Sequence, residues 1–266
     1  MPREFFIHVP YDSFRDEGGR LRRLGACPEI YLNSKAVQQL RGRELKESGD
    51  AVKRFPTHTL HAPFMDISPG AFDPDVRAIS LLKMKAVIDI ANRWNSKLVV
   101  AHFKFDPLYY QDQFERWLDA ASEFFRCLLE KSRGTMIALE NVAEPTPYVS
   151  LRLAGEINDD RLIHCFDFGH HRVFGKIPFD EWIFYLHPRR HIHFHLHDNF
   201  GKKDDHLAPG EGDIDWLQAK RTIAGLTADY SVTLEPHDPP TMDRSVRFYR
   251  KFFLAAKPAA IRPTAR

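Results

Sequence analysis

Four histidines alternate with apolar residues in the stretch HIHFHLHDN, a spacing that suits a β-strand. Side chains two residues apart share one face of a strand, so the imidazoles would point one way and the apolar side chains the other. The four are His191, His193, His195 and His197. One such histidine is commonly a hydrogen-bonded core residue, but imidazole is also the commonest metal ligand. Four on one face, followed by Asp-Asn, predict a face that meets water or a metal ion.

Two further motifs pair aspartate with histidine at short spacing. CFDFGHH places two residues between Asp167 and His170, and DDHLAPGEGDIDW places one residue between Asp204 and His206. Both members of such a pair can reach one ion from a single turn of the chain. A carboxylate together with a neutral imidazole suits Zn²⁺, Mn²⁺ or Co²⁺. These motifs therefore predict ligands of a divalent cation.

Two glutamates lie near the ends of apolar runs that resemble buried strands. MIALENV contains Glu140, and VTLEPH contains Glu235. A glutamate in such a position can bridge two ions, or it can bind one ion and act as a base in proton transfer. Glu140 and Glu235 are the predicted catalytic residues.

Eight short apolar or β-branched runs would position these side chains. They lie at residues 5–10, 29–33, 57–63, 97–103, 136–142, 162–168, 191–198 and 232–237. Helical segments between them are predicted near 36–48, 77–94, 110–131, 149–157, 179–187, 215–224 and 243–255. In the segment 77–94, Ile79, Leu82, Ala86, Ile90 and Ala91 form the predicted apolar stripe.

Strands alternating with helices indicate parallel strands joined by right-handed crossovers, hence an α/β fold. Eight repeats favour a single-domain (β/α)₈ TIM barrel over residues 1–256, although a doubly wound open sheet shares the pattern. Residues 257–266 are predicted to be a disordered tail.

Active sites of such barrels lie at the carboxyl ends of the strands. In this chain those ends carry titratable or metal-binding side chains on nearly every strand. They are His8, Asn33, His61, His102, Lys104, Glu140, Asp167, His195, His197, Asp198 and Glu235. The predicted structural or surface histidines are His171, His187, His191 and His237.

The bulk composition narrows the class of protein. The chain has 266 residues, 43% of them hydrophobic, and a formal net charge of +2, so net charge gives no reason to expect a nucleic-acid partner. The three cysteines, Cys27, Cys127 and Cys165, form no CxxC pair and predict a reducing compartment. Without a secretory leader or a membrane span of about 20 apolar residues, we expect a cytoplasmic protein.

The motifs HAPF, ALENV, CFDFGH, HLHDN and DDHLAPGEGDIDW occur in that order along the chain. With them the sequence resembles the xylose isomerase-like TIM-barrel superfamily, which includes sugar-phosphate isomerases and epimerases together with endonuclease IV. The resemblance covers nearly the whole chain. It implies a TIM barrel and dependence on a divalent cation.

The isomerase and epimerase branch implies one ion held by Glu140, Asp167, His195 and Glu235. That ion would polarise a sugar carbonyl, and one or both glutamates would move a proton at the adjacent carbon. The predicted substrate-binding residues are His8, Lys104, His197 and Asp198. In this interpretation Lys104 would hold a phosphate or carboxylate of a small substrate.

The endonuclease IV branch implies three zinc ions held by nine ligands. All nine ligand positions have counterparts in this sequence. They are His61, His102, Glu140, Asp167, His170, His195, Asp204, His206 and Glu235. Such a cluster would hydrolyse phosphoesters. Against this branch, FKF follows His102 where the endonuclease family has a Pro-Gly turn, the loop after the first strand carries no obvious wedge residues, and the charge is nearly neutral.

The leading hypothesis is therefore a metal-dependent isomerase or epimerase of a small sugar or phosphorylated substrate, with one to three ions of zinc, manganese or cobalt per chain. A trinuclear zinc phosphoesterase acting on nucleic acid or a smaller phosphoester ranks second, and a sugar-binding barrel without activity ranks third. The sequence predicts no membrane association, and it leaves the oligomeric state open.

Overall fold

The computed structural model describes residues 5–186 and 191–254. Eight parallel strands pair in chain order, and the last pairs with the first, so the sheet is a closed barrel. The strands are β1 Phe6–Pro10, β2 Cys27–Tyr31, β3 Thr59–His61, β4 Leu98–His102, β5 Met136–Glu140, β6 Leu162–Asp167, β7 His191–Leu196 and β8 Asp229–Leu234. The predicted single-domain (β/α)₈ barrel is confirmed.

Helices surround the barrel and connect successive strands. In the described residues they are α1 Tyr11–Arg23, α2 Ser34–Gln39, α3 Gly42–Val52, α4 Pro74–Trp94, α5 Pro107–Tyr110, α6 Phe114–Lys131, α7 Tyr148–Ile157, α8 Phe168–Phe174, α9 Phe179–Leu186, α10 Trp216–Ala224 and α11 Pro239–Tyr249, with a π-helical turn at Arg250–Leu254. The segment predicted as one helix at 36–48 is divided into α2 and α3. The interruption coincides with Gly42, whose φ of 50° lies in the left-handed region.

Asparagine and aspartate side chains mark where several helices begin. The Asn33 side chain accepts a hydrogen bond from the Ala36 N–H at 2.8 Å and caps α2, so this strand-end residue is engaged by its own helix. Asp73 caps α4 in the same way, and Asp215 caps α10.

The apolar stripe predicted for α4 is wrong in part. Ile79 and Leu82 are 57% and 71% exposed, whereas Met84, Val87 and Ile88 are buried against the core. This helix carries apolar residues on more than one face, and sequence spacing does not show which face meets the sheet.

The barrel interior has an apolar half and a polar half. On β4 to β6, inward side chains form a small apolar cluster of Leu98, Val100, Ala138, Ile163 and Cys165. On the other strands, the buried interior side chains include Glu29, Thr59, His193, Ser231 and Thr233. Because buried polar groups require hydrogen-bond partners, the polar half must form a connected network.

Some predictions fall on residues outside this description. His187 and the tail 257–266 lie outside the described residues. Among the described helices, none is both long and apolar enough to cross a membrane. None of the three cysteines, all within the described residues, forms a disulfide; Cys27 and Cys165 are buried and Cys127 is partly buried.

Candidate metal centre

The carboxyl ends of the strands bring the predicted ligands together in three groups. Within each group, one ligand atom from every residue lies within 4.8 Å of the others. The first group is His61, His102 and Glu140, the central group is Glu140, Asp167, His195 and Glu235, and the third group is His170, His197, Asp204 and His206. All nine residues with endonuclease-like counterparts are present, and Glu140 belongs to two groups.

The central group converges on one nitrogen of His195. Its Nδ1 lies 2.9 Å from Oε1 of Glu140 and 3.1 Å from Oε1 of Glu235. Oδ2 of Asp167, on the neighbouring strand, lies 3.7 Å from the same nitrogen. The side chains of all four are at most 5% exposed. Three carboxylates and one imidazole are thus concentrated at a point protected from water.

The first group shares the second oxygen of Glu140. Nε2 of His61 lies 3.0 Å and Nε2 of His102 lies 2.8 Å from Oε2 of this glutamate. The glutamate therefore has one oxygen toward each group, an arrangement that suits a carboxylate bridging two cations.

The third group is built around Asp204. Its Oδ2 lies 3.0 Å from Nε2 of His206 and 3.4 Å from Nε2 of His170. Its Oδ1 lies 3.6 Å from Nδ1 of His197. The Asp204 and His206 pair comes from the loop after β7, and His170 comes from α8, so tertiary structure unites the two short motifs.

Backbone carbonyls fix the orientation of three histidines that are predicted ligands. Nδ1 of His61 donates to the Ala62 carbonyl at 2.9 Å, and Nδ1 of His170 donates to the Asn141 carbonyl at 3.0 Å. Nδ1 of His206 donates to the carbonyl of Glu235 at 3.2 Å. A carbonyl only accepts, so we assign the ring proton to Nδ1 in each, which leaves Nε2 able to bind a cation. This donor set fits a divalent ion such as Zn²⁺, Mn²⁺ or Co²⁺.

The pKa shifts at the site also favour binding of a cation. Burial raises the pKa of Glu140 and of Glu235, but His195 and other nearby histidines outweigh it and hold both pKa values well below the usual range. Burial lowers the pKa of His206, but Asp204 and Glu235 outweigh it and raise that pKa to about 9. Protonated histidines therefore balance the carboxylates, and protons compete with a cation for the same nitrogens.

His8 lies at the edge of the first group. Its half-buried ring stacks on Tyr31 with centroids 5.7 Å apart and meets His61 edge-on at 5.6 Å. Burial lowers the pKa of His8 to about 4, so the ring is neutral at physiological pH. Its predicted role in substrate binding stays a prediction.

His197, a predicted substrate-binding residue, lies among the predicted ligands. This side chain is fully buried, and its Nε2 donates to Oδ1 and Oδ2 of Asp167 at 3.0 and 3.1 Å. Its ring is parallel to that of His206, with centroids 3.9 Å apart. His197 thus contacts two predicted ligands, Asp167 and His206, and its predicted role in substrate binding stays a prediction.

Asp198 was also predicted to bind substrate, a role that stays a prediction, and the structure shows how the chain itself holds this carboxylate. The side chain is fully buried and its oxygens accept four hydrogen bonds from the chain. The donors are the backbone N–H groups of Asn199, Gly210 and Ile214 and the indole Nε1 of Trp216, at 3.0, 2.8, 3.2 and 2.7 Å. Asp198 therefore organises the loop that carries Asp204 and His206.

Lys104 does not follow the strand alternation on which its predicted inward direction depends. β4 ends at His102, and Lys104 has a φ of 52°, so its side-chain direction is not set by the pleat of the strand. The residue is exposed on the rim of the barrel. Its predicted role in holding a phosphate or carboxylate stays a prediction.

Several residues near the site are not singled out by sequence. The side chain of Asn141 pairs with the backbone of Asp167, accepting from its N–H at 2.8 Å and donating to its carbonyl at 3.1 Å. His237, predicted to be a structural or surface residue, stacks on His206 at 4.0 Å. Glu29 is fully buried beneath the central group, and its inward position on β2 was the available signal.

Comparison with known proteins gives relatives in sequence. An uncharacterized protein of Methanocaldococcus jannaschii, MJ1311, is 28% identical over 185 residues, which cover 66% of this chain and 63% of the relative. The chain thus matches less than two thirds of that protein's length.

Solved structures resemble the chain over almost its full length. A D-tagatose 3-epimerase-like protein has a TM-score of 0.80 at 21% identity, with 94% of this chain and 97% of that chain covered. The TTHB071 protein of Thermus thermophilus, from a ZnCl₂ soak, has a TM-score of 0.76 at 23% identity, with 93% and 97% covered. These similarities show the common fold.

The family comparison reaches further, because the sequence model described as the xylose isomerase-like TIM barrel matches residues 28–252. That range contains all three groups of predicted ligands and the strands β2 to β8, except for the first residue of β2. The chain belongs to the xylose isomerase-like TIM-barrel family.

Proposed function

We propose that this chain is a divalent-metal-dependent isomerase or epimerase acting on a small sugar or sugar phosphate. The observation that carries the proposal is the convergence of Glu140 and Glu235 on Nδ1 of His195, with Asp167 beside them. The D-tagatose 3-epimerase-like protein with the same fold supports a sugar as the substrate class.

The four residues of the central group would hold the cation. When bound, a divalent cation supplies Lewis-acid polarisation of a substrate carbonyl, which acidifies the adjacent C–H bond. Glu140 and Glu235 are both ionised, because the neighbouring histidines hold their pKa values low. Either carboxylate can therefore accept the proton from carbon, and the conjugate acid can return it.

Proton exchange with solvent tests this chemistry directly. The metal-loaded protein would be incubated in D₂O with a panel of ketoses, aldoses and their phosphates, and deuterium at the carbon next to the carbonyl would be measured by NMR. We expect exchange with at least one sugar and a loss of about 100-fold or more in Glu235→Gln. Glu211→Gln, which removes an exposed partner of Arg244, is the matched control.

A metal-loaded wild-type protein that exchanges no carbon-bound proton in the panel would contradict the proposal. If the same protein bound a sugar tightly without exchange or turnover, the inactive sugar-binding barrel would replace it.

A trinuclear phosphoesterase is the second candidate, and a specific observation favours it. The first and third groups supply further ligands beyond the central group, and Glu140 joins the first to the central one. Clustered cations can activate water and stabilise both oxygens of a phosphoester displacement.

Metal content distinguishes the two candidates. Elemental analysis of protein purified without chelators or a metal-affinity tag would be followed by assays with bis-p-nitrophenyl phosphate and an abasic-site duplex. About three zinc ions per chain together with phosphoester cleavage would make the phosphoesterase the leading function. About one ion together with sugar exchange would support the isomerase.

A further inference from the structure

A buried carboxylate that the proposed chemistry does not use lies beneath the central group. Glu29 on β2 is fully buried in the polar half of the barrel. Its Oε2 accepts hydrogen bonds from the hydroxyls of Thr59 and Thr233, each at 2.9 Å, and from Nε2 of His193 at 3.0 Å. One oxygen is therefore fully engaged by the barrel itself.

The other oxygen faces His195 of the central group. Oε1 of Glu29 lies 3.0 Å from Nε2 of His195, and both atoms are buried without a well-aligned hydrogen bond to another described group. Cys165 also lies against His195, but a thiol is a weak acceptor. A small rotation of the imidazole would align its N–H with the carboxylate and satisfy both groups, which are costly to leave unpaired.

The remaining histidines of β7 fix the direction of the network. A carboxylate only accepts, so we assign a proton to Nε2 of His193, and its Nδ1 then accepts from the Ser231 hydroxyl at 2.7 Å. Ser231 in turn accepts from Nε2 of His191 at 2.8 Å. Every donor in this column runs toward Glu29, which is the terminal acceptor.

We propose that Glu29 is a positioning residue for the cation site: it holds a proton on Nε2 of His195, so that Nδ1 is the nitrogen presented to the cation. This inference rests on the metal dependence in the proposed function. Glu29 acts through His195 and does not touch the substrate. A carboxylate behind a ligand histidine fixes ring orientation and increases ligand basicity, and its loss typically costs 10- to 100-fold in metal affinity.

Glu29→Gln tests the proposal with minimal change of volume. We expect the dissociation constant for Mn²⁺ or Zn²⁺, measured by competition with a chromogenic chelator, to rise about 10- to 100-fold. Thr59→Val is the matched control, because it removes one donor to Oε2 and leaves the contact between Oε1 and His195 in place. That variant should lose stability but keep cation affinity within about twofold.

Nitrogen-15 NMR of His195 in cation-free protein gives a second readout. At a pH high enough to leave one ring proton, the wild type should carry it on Nε2, and Glu29→Gln should show a mixture of tautomers. If Glu29→Gln does not fold, Glu29→Asp retains the charge but withdraws the oxygen by about one methylene, and an affinity loss of about 10-fold is expected.

A folded Glu29→Gln or Glu29→Asp variant with wild-type cation affinity and the wild-type tautomer would overturn the proposal. Wild-type protein that binds no cation would instead contradict the proposed function. The tautomer measurement would then still decide whether Glu29 sets the proton position on His195.

Discussion

Nε2 of His197 donates to both oxygens of Asp167, and Gly169 provides the space in which the His197 ring lies. A Cβ at Gly169 would come within 1.9 Å of Cε1 of that imidazole. A residue of the central group is thus oriented by a histidine of the third group, and this coupling depends on a glycine whose lack of a side chain leaves room for the ring.

Gly169→Ala is therefore expected to displace His197 and disturb Asp167. We predict a loss of about 1–3 kcal/mol in unfolding free energy and a loss of about 10-fold or more in cation affinity. Denaturant unfolding and chelator competition measure the two effects. Gly155→Ala is the control, since its Cβ would meet nothing within 4 Å at an exposed position of α7, and it should stabilise by about 0.5–1 kcal/mol. Equal behaviour of the two variants would contradict the prediction.

Glu140→Gln should weaken two cation sites at once, because each oxygen of Glu140 faces a different ligand group. His206→Asn should weaken only the third group. Elemental analysis and chelator titration of both variants would show this difference. If Glu140→Gln lost no more cation than His206→Asn, the prediction that Glu140 contributes to two cation sites would be wrong.

Asp198→Asn should destabilise the loop that carries Asp204. Four donors converge on this buried carboxylate, and an amide can accept at only one of its two positions, so the loss should be about 2–4 kcal/mol. Asp215→Asn is the matched control, because asparagine caps a helix about as well as aspartate and α10 should be nearly unaffected. Thermal unfolding of both variants decides the point, and a mild effect of Asp198→Asn would show that the loop does not depend on this carboxylate.

The stability of the fold should fall in mild acid because of buried neutral histidines. Nε2 of His58 pairs with Oγ of Ser96 at 2.8 Å, and burial lowers the pKa of this histidine to about 4, against about 6.5 in an unfolded chain. Between these pH values the unfolded chain binds a proton that the folded chain does not. The contribution of neutral His58 to the free energy of unfolding is therefore complete above about pH 6.5. It decreases as the pH falls toward 4, by up to about 1.4 kcal/mol per pH unit. In urea unfolding, the free energy of unfolding of His58→Gln should depend less steeply on pH than that of the wild type. An unchanged dependence would mean that His58 is not the cause of the loss in acid.

Cation affinity should rise with pH through the neutral range. Burial lowers the pKa of His206, but Asp204 and Glu235 outweigh it and raise the pKa to about 9, so at pH 7 a cation must displace a proton. We expect tighter binding up to about pH 9 and release of protons on loading, measured with a pH indicator in weak buffer. Loading at pH 7 without proton release would contradict this.

Strand alternation explains why the clustering of the candidate site residues could be predicted. Side chains on a strand repeat every two residues, and all carboxyl ends of a parallel barrel lie on one face, so His61, Glu140 and His195 could be assigned to one site from sequence. The rule ends with the strand. Lys104 lies past the end of β4 with a positive φ, so the alternation that predicts its direction does not apply there.

Helix periodicity was less informative about packing. On α4 it predicted burial of Ile79 and Leu82, which are exposed, because the helix has apolar side chains on more than one face. Only the docking of the helix against the sheet selects the face that is buried.

The sequence by itself determined the alternation of strands and helices and the chemical character of the rim, because residue type, strand period and element order are local properties. The pairing of the last strand with the first, which closes the barrel, is seen only in the tertiary structure, since an open sheet shares the sequence pattern. Tertiary structure alone decided which polar side chains remain available to a ligand. Asp198 and His197 are both polar residues at the end of β7. The Asp198 carboxylate accepts hydrogen bonds from backbone amides, whereas His197 donates to Asp167. Glu29 on β2 lies beneath His195 on β7 because the barrel brings these distant strands together. Hydrogen-bond partners of buried groups come from the whole fold, and local spacing does not encode them.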